Sequence, residues 1–347
     1  MIDLSPLTGG SRERLLATLI EAGAEFAPRD VLVERTGVSP LRLTRILAEL
    51  GEAGLPLETM PGRGHRLAWP VPPLDARSLE NAVARSARWR RLVAFPAVTS
   101  TNDAAIALGE AGEPDGTVVV AEAQTRGRGR NARAWISPPG VGLWCSFLLR
   151  MPIRADRVPH VTAAAALAAV RAVREASGVS LLVKWPNDLV AASAQPNDAG
   201  EAARWSKAGG ILSEGRTIGE TLEFAVIGMG LNVAPLPPGA PAEVAGRATS
   251  LAALAGRPVA REVLFASLLS ALEPLLSIVA REGLASLLPE LRALSPLLGR
   301  QVTVDVGGRV VRGIARDLDA SGALLVEVEG GRLERILAGD ASLAETG

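Results

Sequence analysis

Cysteine, histidine and tyrosine are nearly absent from this chain of 347 residues, which contains one cysteine, two histidines and no tyrosine. The lone Cys145 excludes an intrachain disulfide bond and any metal site built from cysteines. His65 and His160 have no serine, cysteine or metal-ligand partner near them in the sequence. A catalytic triad or a zinc mechanism is therefore not expected.

Lysine is almost as rare. Of the 37 basic residues only Lys184 and Lys207 are lysines, and all the others are arginines. Arginine is a broad planar fork, whereas lysine is a compact point charge on a thin stem. We interpret the two lysines as positions that arginine cannot fill. Both would belong to one site, in which their side chains reach an anion in a narrow pocket. The alternative is chance retention of two surface lysines.

Net charge and long apolar runs are also lacking. The formal net charge is zero, so no overall field attracts nucleic acid or membrane, and any basic surface must be local. The longest apolar run, residues 161–170, is too short to span a bilayer. The N-terminal residues show no signal-peptide pattern. We therefore expect a cytoplasmic protein without a membrane partner.

Residues 1–70 have the pattern of a winged helix-turn-helix. Apolar spacing and capping residues predict three helices and a hairpin: residues 11–22, a short helix after Pro28, a helix that begins at Ser39 and Pro40, and a hairpin tip at residues 61–64. This order of elements is typical of a DNA-binding module.

DNA binding by this segment would depend on a local cluster of cations, because eight arginines stand against nine acidic residues in it. The residues predicted to contact DNA lie on the third helix and in the wing: Arg42, Thr44, Arg45, Arg63 and Arg66. A monomer with so few cations would bind DNA weakly. Specific binding would therefore need a homodimer. The alternative is a winged helix that is kept only for packing.

The rest of the chain divides into two segments after a linker marked by Pro70, Pro72 and Pro73. Residues 78–294 mix helices with strands, and residues 298–347 alternate like four short strands of a small antiparallel barrel. Gly307 and Gly308 predict a two-residue hairpin turn there. The fold class is therefore α+β.

Two stretches interrupt the central segment, residues 191–206 and 234–246, and both are polar or rich in proline. Such composition is typical of surface loops. We predict that the second of them forms a flap over a ligand.

An arginine-rich segment, QTRGRGRNAR at 124–133, follows a predicted strand. Gly127 and Gly129 allow the backbone to approach a ligand, and the arginines offer forked donors to phosphate or carboxylate oxygens. The segment is not a dinucleotide-binding fingerprint, because Ala132 replaces the third glycine, and it lacks the Gly-Lys ending of a P-loop. The alternative is an exposed basic loop.

Three further motifs carry polar groups at the ends of predicted elements. In KWPND at 184–188, Lys184 ends an apolar strand, and a carboxylate beside an amide there suits Mg²⁺ held mostly by water and phosphate. STND at 100–103 precedes a helix, and GMGLN at 228–232 ends a strand with an amide that could read a purine edge. The alternatives are an ordinary turn, a helix N-cap and a turn, respectively.

Cations, glycines and amides together fit the positioning of anions and phosphoryl or adenylyl transfer. At this point the motifs resemble those of biotin–protein ligases, specifically the bifunctional ligase–repressor type. GRGR at 127–130 looks like the family's biotin-adenylate loop, and KWPND matches its most diagnostic motif. KAGGIL at 207–212 and GMGLN follow in the family's order, and the similarity covers nearly the whole chain.

The resemblance implies a central mixed α/β domain of the biotin/lipoate ligase type and an SH3-like C-terminal barrel. It implies biotin and ATP as substrates, Mg²⁺ as cofactor, and transfer of biotin through biotinyl-5′-AMP to a lysine of a biotin carboxyl carrier protein. A repressor of this type would also bind operator DNA; the alternative is a ligase whose winged helix does not bind DNA.

The resemblance also implies residue roles. Biotin would be bound by Ser100, Thr101, Asn102, Gln124, Arg128, Lys207 and Gly210. ATP or the adenylate would be bound by Gly127, Arg128, Gly129, Arg130, Trp135, Lys184, Asn187 and Asn232. Lys184, Lys207 and Arg130 would be catalytic, Asp188 would hold Mg²⁺, and residues 249–254 would cover the ligand.

Two departures from the family pattern stand out. Asn131 and Ala132 replace the usual arginine and glycine of the adenylate loop, which predicts reduced flexibility there, and the loop at 191–206 is longer than the family's turn. A lipoate or octanoate ligase on a related fold is the rival function. It would need a longer apolar channel and is not expected to carry KWPND.

Overall fold

A computed structural model describes residues 5–52, 55–68, 73–151, 154–192 and 205–343, and the side chains from Leu7 onward. The predicted linker prolines Pro70 and Pro72 and most of the predicted loop at 191–206 lie outside the described residues. The helices are α1 Ser5–Thr8, α2 Ser11–Ala22, α3 Arg29–Thr36, α4 Pro40–Glu52, α5 Ala76–Ala84, α6 Thr101–Glu110, α7 Val158–Ser177, α8 Ala242–Ala245, α9 Leu251–Ala255, α10 Arg261–Glu282 and α11 Leu288–Ala293.

The strands of the described residues form three sheets. They are β1 Leu57–Met60, β2 Gly64–Leu67, β3 Arg91–Val98, β4 Thr117–Gln124, β5 Gly142–Leu149, β6 Leu182–Lys184, β7 Asp188–Ala192, β8 Trp205–Ile218, β9 Thr221–Asn232, β10 Gln301–Val306, β11 Arg309–Leu318, β12 Leu324–Glu327, β13 Leu333–Ile336 and β14 Asp340–Leu343.

The N-terminal helices and the β1–β2 hairpin share a small core. The apolar faces of α2, α3 and α4 meet there, with Leu15, Leu19, Leu32 and Leu43 all excluded from solvent. This core continues onto the central sheet through two small side chains, Ala97 and Ala123. The N-terminal unit is therefore packed directly against β3 and β4.

Within the described part of the chain the central sheet has seven strands in the order β3-β4-β5-β9-β8-β7-β6, and β3 and β4 are its one parallel pair. Its strands alternate their side chains between two faces, as the pleat requires. Val118 and Val120 of β4 face a large core with α7 and α10, whereas Val119 and Ala121 face α6. Helices on both faces explain why β5 is buried along its whole length.

The helix α10 is long and apolar enough to cross a membrane by length and composition alone, but half of its apolar window is buried inside the protein. It packs along α7, and Leu268, Leu272 and Leu276 lie in the core. At its first residue Arg261 bonds to Glu122 at 2.8 Å in a buried ion pair. Glu122 also accepts a hydrogen bond of 2.8 Å from the backbone N of Leu74, where the N-terminal unit joins the central one.

The C-terminal segment forms a five-stranded antiparallel sheet in the order β13-β12-β11-β10-β14. The predicted hairpin turn is confirmed: Gly307 and Gly308 join β10 to β11, with φ of 63° and 92°, which favour glycine. The fifth strand, β14, was not predicted. It is short and polar, and its pairing with β10 is what defines it.

The KWPND motif also folds differently from its prediction. Lys184 ends β6 as expected, but Asp188 begins the next strand, β7, and the two residues are directly paired. The bond between Trp185 and Pro186 is cis. The motif is therefore the tip of a tight hairpin, which points its polar residues to one edge of the sheet.

Candidate active site

A cavity of about 690 Å³ lies over the ends of β7, β8 and β9. All the residues predicted to bind biotin, ATP or the metal ion line it, except Gly127. Gly127 lies directly beneath: its carbonyl accepts a 2.8 Å hydrogen bond from the backbone N of Trp135, and a Cβ there would lie 2.4 Å from the Trp135 oxygen. The structure thus brings together motifs that are more than a hundred residues apart.

The floor of the cavity is made flat by two glycines. Gly210 of β8 and Gly230 of β9 are directly paired, and the indole of Trp135 lies over both of them. A Cβ on Gly230 would come within 2.7 Å of that indole, and a Cβ on Gly210 within 3.3 Å. Glycine at 230 leaves the space that the indole occupies against the sheet, and a Cβ at 210 would crowd the same ring.

The register of three adjacent strands brings the two lysines to the same cavity wall. Lys184 pairs with Asp188, and Val190, two residues further along β7, pairs with Lys207 of β8. The Nζ atom of Lys207 lies 2.6 Å from Asp188 Oδ1 and 5.0 Å from the centroid of the Trp135 ring. Lys207 is therefore held by a carboxylate on one side and an aromatic face on the other.

Lys184 has a different environment. Within the described part of the chain its ammonium group makes no hydrogen bond or ion pair at contact distance. Burial lowers the pKa of Lys184, and the nearby positive charges of Lys207 and Arg247 lower it further, against the opposing effect of Asp188 and Asp340. A half-buried ammonium without a direct partner is costly for the folded protein and points to an anionic ligand.

Hydroxyl and amide groups form the opposite wall. The backbone N of Thr101 donates to Gln124 Oε1 at 2.8 Å, and Gln124 Nε2 donates to Ser137 Oγ at 2.7 Å. The Ser146 hydroxyl bonds to both Thr101 and Asn102, at 2.8 and 2.7 Å. These hydrogen bonds fix the orientation of side chains that a polar ring would meet.

Ser100 occupies the N-cap position of α6, as the alternative interpretation of its motif required. Its side chain, however, makes no capping hydrogen bond with the helix. The residue is 2 % exposed and lines the cavity. Helix capping alone therefore does not explain a serine at this position.

The arginine-rich loop closes one side of the cavity. Arg128 makes a two-pronged contact with Glu214 at 2.9 and 2.8 Å and a further contact with Asp103 at 2.6 Å. Glu214 also accepts a 2.7 Å hydrogen bond from Asn102. Neither carboxylate was singled out from the sequence. Asp103 belongs to the STND motif, and Glu214 lies two residues after the KAGGIL motif.

The C-terminal sheet reaches the cavity through Asp340 and Ala341. Arg130 Nη1 donates to the Gly339 carbonyl at 3.1 Å and lies 3.6 Å from Asp340 Oδ1. Asp340 Oδ2 also accepts from Asn131 at 3.3 Å and pairs with Arg133. Sequence analysis missed Asp340, because no local motif marks a residue that reaches the site only through tertiary packing.

Two residues of the same loop have left-handed backbone conformations: Asn131 with φ 53° and Ala132 with φ 56°. Asparagine tolerates this region, but alanine is strained in it because its Cβ approaches the following carbonyl. Ala132 stands where the resemblance led us to expect glycine, so the departure from the pattern has a conformational consequence.

The predicted flap, residues 234–246, lies at the cavity mouth and includes α8, with Leu236, Glu243 and Val244 in the lining. The segment after it is fastened to Lys207. The backbone N of Lys207 donates to the Arg247 carbonyl at 2.7 Å, and Asn232 Nδ2 donates to the Lys207 and Thr249 carbonyls at 3.3 and 3.2 Å. The Asn232 amide nitrogen thus already donates to backbone carbonyls, while its oxygen has no hydrogen-bond partner among the residues that the structure describes.

The residues predicted to contact DNA fall into two groups. Arg63 and Arg66 lie over the ring of Phe26, at 5.1 and 4.5 Å from its centroid. Arg42 and Arg45 lie on α4 beside a separate cleft at the central domain. Thr44, also on α4, receives a 2.6 Å hydrogen bond from Arg29.

Two parts of the chain match known protein families. Residues 94–232 match the biotin/lipoate A/B protein ligase family, and residues 297–344 match the biotin protein ligase C-terminal domain. The bifunctional ligase/repressor BirA of Bacillus subtilis is 29% identical over 334 residues, covering 96% of this chain and 98% of that protein.

Two further relatives are similar to this chain over about three quarters of its length. The biotin–[acetyl-CoA-carboxylase] ligase of Mycobacterium tuberculosis is 35% identical over 280 residues, 78% of this chain and 95% of the relative. The structure of a biotin protein ligase from Aquifex aeolicus in complex with biotin and ATP superimposes with a TM-score of 0.60 and 27% identity. It covers 74% of this chain and all of that one.

Proposed function

Because this chain belongs to the biotin–protein ligase family, we propose that it couples ATP cleavage to AMP and pyrophosphate with the attachment of biotin to a lysine of a biotin carboxyl carrier protein. The observation that carries the proposal is the single cavity in which both lysines, the arginine loop and the glycine floor meet. The structure of a related biotin protein ligase from Aquifex aeolicus is a complex with biotin and ATP.

The first step requires two anions to meet. The biotin carboxylate attacks the α-phosphorus of ATP, pyrophosphate leaves, and the product is the mixed anhydride biotinyl-5′-AMP. The carboxylate is itself the nucleophile, so the step needs no side-chain base. The protein must instead reduce the repulsion between the two anions and hold the reacting atoms in position. Positively charged side chains do the first, and binding both substrates in one site does the second.

The two lysines have environments that suit different anions. Lys207 is clamped by Asp188 and Trp135 over the glycine floor, and we assign it to the biotin carboxylate and the ester oxygens that it becomes. Lys184 is half-buried without a direct partner among the described side chains, so we assign it to the ATP phosphates. Arg130, at the mouth beside Gly339, would hold the adenylate phosphate.

The remaining residues fit the two ends of the intermediate. The hydroxyl and amide wall at Ser100, Thr101, Asn102 and Gln124 matches the alternating donors and acceptors of a biotin ureido ring. Trp135 and the side-chain oxygen of Asn232 would meet adenine. In the second step the amine of the carrier lysine attacks the acyl carbon and displaces AMP.

The site fits a magnesium ion. Among the described residues no group of three or more His, Cys, Asp or Glu could hold a metal. Mg²⁺ nevertheless commonly uses only one or two protein carboxylates beside phosphate oxygens and water. Asp188 lines the cavity between the two lysines and would supply that carboxylate. When bound, the ion would neutralise phosphate charge.

The test is pyrophosphate release with biotin, ATP and Mg²⁺, followed by transfer to a biotin carrier domain. We expect release of about one equivalent without carrier and continuous turnover with it, with the label on one carrier lysine. Octanoate or lipoate in place of biotin is the matched control. Release with either of these acids but not with biotin would assign the chain to the rival function.

We propose a second role as a biotin-responsive repressor. The support is the helix order of α2, α3 and α4 with the β1–β2 hairpin, together with relatives described as bifunctional ligase/repressors. We further propose a winged helix-turn-helix at 1–70, a ligase domain at 78–294, a small SH3-like barrel at 298–347, a cytoplasmic location and DNA binding as a homodimer. A gel shift with operator-region DNA, with and without biotin and ATP, tests the repressor role. If no shift occurs at low salt, the protein is a ligase whose winged helix does not bind DNA.

A further inference from the structure

A second cleft, of about 440 Å³, separates the N-terminal helices from the ligase domain. Its walls are the first turn of α2, one side of α4, and the two residues that follow β4, Thr125 and Arg126. Four arginines line it: Arg12, Arg42, Arg45 and Arg126. The cleft does not share a residue with the ligand cavity.

The charges of this cleft are not balanced. Arg12 and Arg45 share one carboxylate, Glu49, to which Arg45 Nε bonds at 3.0 Å. The hydrogen bond from Arg12 holds the pKa of Glu49 below its usual range, with Arg45 acting in the same direction against partial desolvation, so Glu49 is charged at neutral pH. The guanidinium groups of Arg42 and Arg126 have no partner among the residues that the structure describes.

The other carboxylate of the cleft is Glu13. It is 7 % exposed and accepts a hydrogen bond from the Thr125 hydroxyl, so it faces the domain contact. Four guanidinium groups thus stand against two carboxylates that are both already bonded. The excess of positive charge, in a concave site with two free forked donors, is the arrangement that favours a phosphate oxyanion.

The wall that carries Arg126 is held in place. The backbone N of Arg126 donates to the Thr99 carbonyl at 2.8 Å, and that of Thr125 donates to the Val98 carbonyl at 3.0 Å. Glu13 ties the same segment to α2. The cleft is therefore formed before a ligand arrives, and binding would require little ordering of the backbone.

We propose that this cleft binds a phosphate group of a nucleic-acid backbone, and that Arg126 of the ligase domain is one of the DNA-contacting residues. The proposal rests on the repressor role inferred above, and adds to it a contact outside the winged helix-turn-helix. The helix α4 favours DNA over a free anion as the source of the phosphate. Its Leu41 is 81 % exposed and its Arg45 side chain 81 % exposed, so a duplex can reach the helix from the open side of the cleft.

The test is binding of the full-length protein to a mixed-sequence DNA duplex, with biotin and ATP present, over a series of KCl concentrations. Each phosphate contact contributes roughly 0.9 to the slope of log affinity against log salt on duplex DNA. We expect Arg126→Gln to lower the magnitude of the slope by about 1 and to weaken binding about equally on all sequences. Arg42→Gln should behave alike, and the double variant should lose less than the two losses added, because both residues contact one phosphate.

Arg312→Gln is the matched control, because Arg312 is exposed on β11 of the C-terminal sheet and its loss changes the net charge equally. It should leave the slope unchanged. Pyrophosphate release with biotin and ATP should be normal in Arg126→Gln, since Arg126 does not line the ligand cavity. Impaired release would mean that the variant acts through the adenylate loop and would overturn the proposal.

The remaining outcomes separate the two inferences. If wild-type protein binds DNA, and Arg126→Gln keeps the wild-type slope, the cleft proposal fails while the repressor role stands. If wild-type protein binds no DNA at low salt, the repressor role fails and the cleft proposal with it. If inorganic phosphate raises the Tm of the wild type but not of Arg126→Gln, and DNA binding is equal in both, the cleft takes a free anion and the nucleic-acid assignment is overturned.

Discussion

The ammonium group of Lys207 lies 2.6 Å from the carboxylate of Asp188, across the pairing of two neighbouring strands. The register shifts between Leu189 and Val190, which places Lys207 opposite Val190 and Gly210 opposite Asp188. The short contact therefore joins residues that are diagonal neighbours on one face. It draws the tip of Lys207 over Gly210, where a Cβ would lie 3.3 Å from its Cε atom.

This geometry predicts that Lys207→Arg loses adenylate formation. The guanidinium group is too wide for a space bounded by Asp188, Gly210 and the Trp135 ring, and it would displace the indole. Loss of one well-placed electrostatic donor lowers the rate by about 10²- to 10³-fold. Biotin-dependent pyrophosphate exchange measures it, and Arg312→Lys on the C-terminal sheet is the reciprocal control. Exchange at the wild-type rate in Lys207→Arg would remove the argument from lysine scarcity.

A pH dependence follows from Lys184. Burial first, and then Lys207 and Arg247, lower its pKa below that of a lysine in solution. The charged form binds phosphate, so the KM for ATP should rise as the pH is raised through this lowered pKa, at a lower pH than an ordinary lysine would give. Arginine keeps its charge throughout this range.

The comparison for this prediction is Lys184→Arg. Its KM for ATP should be higher than that of the wild type at neutral pH, because the wider guanidinium group does not fit the space of the Lys184 ammonium. This KM should stay constant as the pH rises, because arginine keeps its charge. Initial rates at several pH values above neutrality measure both. An identical alkaline rise in wild type and Lys184→Arg would assign the titration to another group.

Backbone strain at Ala132 predicts that Ala132→Gly stabilises the free protein. Its φ of 56° is costly for alanine and not for glycine, and relief of a left-handed residue is worth about 1 kcal/mol, partly offset by the greater freedom of glycine in the unfolded chain. Thermal or urea unfolding measures the change. Ala134→Gly in the same loop, where no positive φ occurs, should destabilise the protein instead.

Arg130→Gly should increase the rate at which biotinyl-5′-AMP leaves the site. Arg130 is tied to the Gly339 carbonyl, its side chain is only 23% exposed, and it lines the cavity. Arg133→Gly is the control, because Arg133 binds the same Asp340 but is 68% exposed, so its ion pair is worth little. Chase of labelled adenylate measures the rates, and equal dissociation from wild type and Arg130→Gly would contradict the assignment.

Much of the local structure was predictable because its signals are short-range. Apolar spacing predicted a helix over residues 11–22 with the bounds that α2 shows. Gly307 and Gly308 located a turn because only their conformational freedom fits it. The strand β7 and the strand β14 escaped prediction, since each is short and becomes a strand only by pairing with neighbours.

The sequence by itself determined the chemistry of the cavity: two lysines among arginines, glycines where a ligand must lie flat, and amides in a recognisable order. These features depend on residue type alone, which is known from the sequence without the fold. Only the tertiary structure decided which partners those residues have. Asp188, to which we assign Mg²⁺, also contacts Lys207, while Asp340 and Glu214 contact the arginine loop from distant strands. Such ion pairs depend on strand register and domain packing, which arise from burial of apolar surface across the whole chain and are not encoded in any single motif.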